Sequence, residues 1–196
     1  MQPDNKKEVK NWPQWSFFGV FDGHGGATCS DFLRDNLHHF IIRDPEFPQN
    51  PRQALFNGFK YAEECFLNLA EEGVKNGTGN IDKSGSCATC TLFVDDMCYI
   101  INLGDSRTIM SADWGNKIYC LSRDHKPTDD IEKARITQNG GNVYQTQTVA
   151  RNPNVAVGNY VPGGMFNPPT QVLLGPHRVM PGRLSVSRTF GDIEAK

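Results

Sequence analysis

The 196-residue chain has no excess of either charge. Twenty lysines and arginines stand against 22 aspartates and glutamates, for a net charge of −2. Such a balance leaves no basic field for a nucleic-acid backbone and no polybasic membrane anchor. No apolar run reaches the ~18 residues of a membrane-crossing helix. The opening "MQPDNKKEVK" has no apolar h-region, so it does not read as an export signal, and the expected compartment is the cytoplasm or the nucleus. Without an export signal, a disulfide framework is not expected from the six cysteines. Cys87-Ala-Thr-Cys90 has no second C-x-x-C partner at zinc-ribbon spacing. It also lies in a strand-like run, where residues three apart point to opposite faces, so both read as plain buried thiols. A G-x-x-x-x-G-K-[ST] loop is absent, and so is a G-x-G-x-x-G turn after a strand, which excludes the P-loop and dinucleotide-binding patterns.

What the chain does have is a core. Hydrophobic residues make up 38% and charged residues 21%, the composition of a globular domain. Trp15–Phe21 reads as a buried strand that ends on a glycine-dense turn. Helical spacing of Cys29, Leu33, Leu37, Phe40 and Ile41 predicts an amphipathic helix over Ala27–Arg43. Leu55, Phe59, Ala62, Phe66 and Leu69 predict a second over Arg52–Glu71. "EEGVKNGTGNIDKSG" reads as an exposed loop. Four strand-like runs follow, at Ser86–Val94, Met97–Leu103, Ser106–Ala112 and Lys117–Leu121, with Asp95-Asp96 and "DWGN" as turns, predicting an antiparallel meander. A third helix is expected over Asp129–Asn139, capped by Thr128 or Asp129 and ended by Gly140. Residues Tyr144–Pro181 are rich in proline, glycine and asparagine with little periodicity, the pattern of a long functional loop. Two helices followed by hairpin strands imply an α+β fold with helices packed on antiparallel sheets.

The stretch "FFGVFDGHGG" is where chemistry concentrates. Asp22 at the end of a strand is either a turn and helix cap or a rigidly based oxygen ligand for Mg²⁺ or Mn²⁺. Gly23 lets its carbonyl approach the same cation. His24 titrates near neutrality and is suited to protonating a leaving group, the alternative being a surface histidine. An aspartate-nucleophile phosphatase wants a second Asp two positions after the first; here His24 occupies that position.

Taken in order, "FFGVFDGHGG", "SGSCATC", "INLGDSRTIM", "LSRDHKP", "ARITQNGGNV" and "GRLSVSRTFGD" closely resemble the metal-dependent serine/threonine protein phosphatases of type 2C, from about Trp15 to Lys196. The resemblance implies an antiparallel β-sandwich flanked by helices in α-β-β-α order, with a binuclear Mg²⁺ or Mn²⁺ centre at one end. It implies hydrolysis of phosphoserine and phosphothreonine in proteins by a metal-activated water, without a phosphoenzyme. Asp22 matches the carboxylate that bridges both metals, Gly23 the backbone-carbonyl ligand and His24 the general acid. Asp105 in "GDSR" matches the carboxylate of a weaker third metal, or else caps a hairpin turn. Arg178 is a candidate for lining the substrate groove, or else a solvated arginine. Arg107, Asp124, His125 and Lys126 match family blocks and read as structural turn and ion-pair residues. Asp192 in "FGD" is a family hallmark and is not expected to be a ligand. The segment 144–181 is expected to form a flap beside the site that selects protein substrates.

The same resemblance implies departures. Residues 1–14 form a polar segment without the upstream arginine and Glu-Asp pair of the family. The Ser-Asp-Gly and Asp-Asn motifs that complete the metal sites lie beyond the pattern seen in 15–196. The expectation is therefore an incomplete catalytic domain with sheet edges open to a partner chain. The alternative is a phosphatase-like interaction or structural module without catalysis of its own.

Overall fold

A computed structural model of the chain describes residues 12–77, 79–150 and 171–196. Its centre is an antiparallel sheet in which β2 (Gly85–Val94) lies between β1 (Trp15–His24) and β3 (Met97–Leu103). β1 and β2 pair along their whole length, from Trp15 opposite Val94 to His24 opposite Gly85. β3 covers only Ala88–Val94 on the other side of β2. The vacated positions are taken by β8 (Phe190–Gly191), with Phe190 opposite Ser86 and Gly191 opposite Gly85. One end of β2 thus carries β1 on one flank and the last strand of the chain on the other.

Alternation along the strands decides which face is the core. Ala88, Cys90, Leu92 and Val94 are buried, with Phe17 and Phe21 of β1 and Tyr99, Ile101 and Leu103 of β3 packed beside them. Helices α1 (Thr28–Ile42) and α2 (Pro51–Ala70) cover this face with Cys29, Leu33, Leu37 and Ile41 from one and Leu55, Phe59, Ala62 and Phe66 from the other. Phe59 reaches Phe190 with ring centroids 5.2 Å apart, tying α2 to β8. Asn50 caps α2 by accepting from the Gln53 amide. The fold is α+β, with helices on antiparallel strands. No helix among the described residues is long and apolar enough to cross a membrane.

Several expectations need correction. β1 is not buried on both faces: Phe18 and Val20, which point away from the helices, are each 62% exposed. The turn Asp22-Gly23-His24 is itself the end of that strand. The hairpins do not form one meander, because β4 (Ile109–Ala112) and β5 (Lys117–Cys120) pair with each other in a separate two-stranded sheet. Ser106–Thr108, expected as strand, is engaged by side chains instead: Arg107 with Asp124, and the Thr108 amide with Ser122 Oγ. Leu69 is exposed and Ala70 is buried in its place, because α2 turns its last apolar position one residue further round. The loop after α2 contains a one-turn helix, α3 (Glu72–Lys75).

Asp129 caps α4 (Asp130–Gln138), accepting from the Ile131 and Glu132 amides. The long segment expected as loop begins and ends in strand. β6 (Asn142–Ala150) and β7 (Gln171–Met180) form an antiparallel hairpin, with a register shift between Gln145 and Gln147. The remainder of the expected flap, 151–170, lies outside the described residues.

Candidate active site

Asp22 and Cys87 are opposite each other on β1 and β2, so their side chains share the face away from the helices. Three residues past Cys87, Cys90 points into the helix-side core. All six cysteines are free thiols. Asp105 follows the end of β3 and accepts from the Cys87 thiol at 3.6 Å. The neighbouring Gly104 is held by His125, whose Nδ1 accepts from the Gly104 amide and whose own amide donates to the Gly104 carbonyl. Burial holds the His125 imidazole below its ordinary pKa, in keeping with an acceptor nitrogen. Arg107 grips Asp124 with two hydrogen bonds of 2.8 and 2.9 Å, and Lys126 stands 3.8 Å from Asp105.

A cavity of about 340 Å³ opens at this end of the sheet, lined by Asp22, His24, Cys87, Asp105, Arg178 and the irregular stretch Leu184–Val186. Arg178 arrives from β7. A backbone hydrogen bond from Val179 to the Leu184 carbonyl seats that strand against the cavity wall, and Arg178 Nη1 donates to the Arg183 carbonyl at 2.7 Å. Four residues singled out in the sequence, separated by up to most of the chain, therefore face one space. Gly23 is not among the lining residues. A Cβ there would stand 2.6 Å from Ser30 Oγ, so close packing of β1 on α1 is one reason for glycine at that position.

Sequence reasoning missed what stands behind His24. Its Nε2 is 2.7 Å from Oδ2 of Asp192, which is buried. This carboxylate holds the imidazole above its ordinary pKa against the opposing effect of burial, and Asp22 and Asp105 act in the same direction. The signal was present as two glycines in distant blocks. Gly85 lies between the partners, where a Cβ would be 2.0 Å from Asp192 Oδ2 and 2.6 Å from His24 Nε2. Gly191 has φ +68°, and a Cβ there would meet the Ser84 carbonyl at 2.4 Å.

The donor chemistry suits a hard divalent cation. Asp22 and Asp105 present carboxylate oxygens to the same cavity, and burial pushes the Cys87 thiol up to about 11, so it stays protonated and does not compete as a soft ligand. Among the described residues no group of three or more His, Cys, Asp or Glu side chains converges as a ready-made cage.

Comparison with known proteins agrees with this architecture. The model of the family described as protein phosphatase 2C matches residues 2–196. The chain is 39% identical over 140 residues to the human (Homo sapiens) integrin-linked kinase-associated serine/threonine phosphatase 2C, covering 65% of this chain and 34% of that protein. It is 36% identical over 129 residues to probable protein phosphatase 2C 57 of Oryza sativa subsp. japonica, covering 66% and 33%. The chain thus spans about a third of the length of these curated relatives. Among solved structures, serine-threonine phosphatase 2C from Toxoplasma gondii aligns with a TM-score of 0.56 at 28% identity, over 66% of this chain and 46% of that one. A C. elegans sex determining protein aligns with a TM-score of 0.59 at 26% identity, over 91% and 36%.

Proposed function

This chain belongs to the protein phosphatase 2C family, and from that premise we propose that it carries the catalytic face of a divalent-metal-dependent hydrolase of phosphoserine and phosphothreonine in proteins. The observation that supports this reading best is the shared cavity: Asp22 and His24 from the end of β1, Asp105 from beyond β3 and Arg178 from β7 face one space.

Asp22 and Asp105 would hold Mg²⁺ or Mn²⁺, with the Gly23 carbonyl as a further oxygen donor. When bound, the cations supply Lewis-acid activation of the attacking water and neutralise charge on the phosphoryl oxygens. The chain's own groups do the rest. Among the described residues Arg178 Nη1 bonds the Arg183 carbonyl, and its other guanidinium donors orient the phosphate dianion. A water oxygen forms a bond to phosphorus while the bond from phosphorus to the seryl or threonyl oxygen breaks. His24 transfers its proton to that departing oxygen. The β6–β7 hairpin, which brings in Arg178, is the base of a flap that selects among phosphoprotein substrates.

The test is Asp22→Asn in the full-length protein, assayed on a phosphoserine peptide with Mn²⁺. Turnover is expected to fall by at least about 10²-fold, the scale of losing an electrostatic group at a reacting centre. Undiminished turnover would sink the proposal.

One observation favours a second reading, an interaction or structural module: no cage of three ligating side chains converges among the described residues. Mn²⁺ titration of the 196-residue chain separates the two. Binding of two cations with metal-dependent turnover excludes the module, and absence of both supports it.

A further inference from the structure

We propose that Asp192 is the positioning residue for His24, that it holds the ring by Nε2, and that Nδ1 is therefore the nitrogen that hands the proton to the leaving oxygen. The inference rests on the general-acid reading of His24 above.

The geometry is built rather than incidental. His24, Gly85 and Gly191 sit in one row across β1, β2 and β8, and Asp192 is the next residue after that row. Gly85 has no side chain, so His24 reaches across it to the carboxylate. Asp192 sits in the left-handed region at φ 50° and ψ 53°, a conformation that aspartate and asparagine tolerate better than most non-glycine residues, and its neighbours hold it there. Those neighbours are identifiable. The Asp192 amide donates to the Ser84 carbonyl at 3.0 Å. The Gly191 amide donates to Glu63 Oε2 of α2 at 2.9 Å, and Lys196 reaches Oε1 of the same carboxylate at 2.7 Å. On the other side Arg188 is clamped to Glu132 of α4. Asp192 is thus held at Ser84, just before β2, and its neighbours Gly191 and Arg188 are held by α2 and α4, with its carboxylate aimed at His24.

Chemistry follows from which nitrogen is occupied. Nε2–H donates to Asp192, and His24 has no other side-chain partner among the described residues. As the bond from phosphorus to the seryl oxygen breaks, the proton on Nδ1 moves to that oxygen. The ring is left neutral with Nε2–H still on the carboxylate. Asp192 touches neither substrate nor metal in this scheme; it keeps the ring from rotating and fixes the nitrogen that faces the cavity, the role a buried carboxylate plays behind other catalytic histidines.

Two variants separate this role from a structural one. Asp192→Asn keeps the shape, and asparagine tolerates the left-handed backbone, but its amide no longer fixes the proton on Nε2. Gly85→Ala drives a methyl group between the partners without altering either. Both are made in the Mg²⁺-loaded full-length protein and compared with His24→Gln. Each is expected to lower turnover of a phosphoserine peptide about 10- to 100-fold, part of the range a general acid supplies, and turnover of p-nitrophenyl phosphate less than about 3-fold, because phenolate needs little protonation. Adding Asp192→Asn to His24→Gln should cause no further loss. Proton NMR of the imidazole region should show a downfield Nε2–H resonance that is absent in His24→Gln and lost in Asp192→Asn. Equal losses on both substrates, or additive losses in the double variant, overturn the proposal. The NMR arm requires no turnover, so a missing resonance refutes the dyad even if the protein is no phosphatase, and inactivity of the wild type with the resonance present refutes the phosphatase reading instead.

Discussion

Glu132→Gln is the perturbation that best probes how the site is held. Glu132 is buried on α4 and meets four donors: Arg188 Nε at 2.9 Å and Nη2 at 2.6 Å, Arg135 Nη2 at 2.9 Å and Ser187 Oγ at 2.7 Å. These partners hold its carboxyl well below the usual carboxylate range despite the opposing effect of burial. Glutamine has the same shape but no charge, so two guanidinium groups lose their counter-ion. Removing one member of a buried ion pair costs ~3–5 kcal/mol. The two arginine side chains are 39% and 38% exposed, so water takes up part of the orphaned charge. The expected loss is therefore about 2 kcal/mol. Urea denaturation followed by tryptophan fluorescence should show a lower midpoint with an unchanged slope. Arg188→Gln on top of Glu132→Gln should cost clearly less than the sum of the single changes. Because Arg188 and Asp192 lie on one short segment, amide exchange at Asp192 should also quicken. A loss below about 0.5 kcal/mol, or strict additivity with Arg188→Gln, would refute the assignment of this cluster as the clamp on that segment.

His24→Gln should lower turnover of a phosphoserine peptide ~10²- to 10⁴-fold and matter much less for p-nitrophenyl phosphate; equal losses in a two-substrate comparison would remove the acid assignment. Gly58→Ala places a Cβ 2.6 Å from Ile41 Cγ1 and 3.2 Å from the Ile41 backbone where α2 crosses α1. The overpacking should cost ~1–3 kcal/mol, seen as a lower melting temperature in a thermal scan. Burial lowers the pKa of His125, so below about 6.5 the unfolded chain binds more protons at this position than the folded one, and its contribution to stability falls as pH drops. His24, whose pKa is raised, contributes in the opposite direction. The difference between wild type and His125→Gln in urea midpoints at pH 7.5 and pH 5.5 isolates the His125 part, and wild type should lose more than the variant on acidification.

Local periodicity was enough for much of the fold. Cys29, Leu33, Leu37 and Ile41 recur at helical spacing because one stripe of α1 faces the sheet, and all four are buried. Asp129 was readable as a cap because a short side-chain acceptor before a helix satisfies amides that the helix leaves unpaired. β3 coincides with its predicted bounds, since turn chemistry at Asp95-Asp96 ends one strand and begins the next. Asp22, His24 and Asp105 were singled out within quoted blocks and Arg178 just ahead of one, and the fold brings these four to one cavity.

Tertiary structure decided the rest, because it depends on what lies across a strand or under a helix rather than along the chain. Periodicity could not show that β3 stops short on β2, leaving room for a two-residue strand from the far end of the sequence. It could not separate β4–β5 from the main sheet, since both pairings satisfy the same alternation. The Asp192–His24 contact joins residues 168 positions apart through a glycine with no side chain of its own. An absent Cβ is visible in a sequence, but the two side chains that meet over it are set only when the strands are in register.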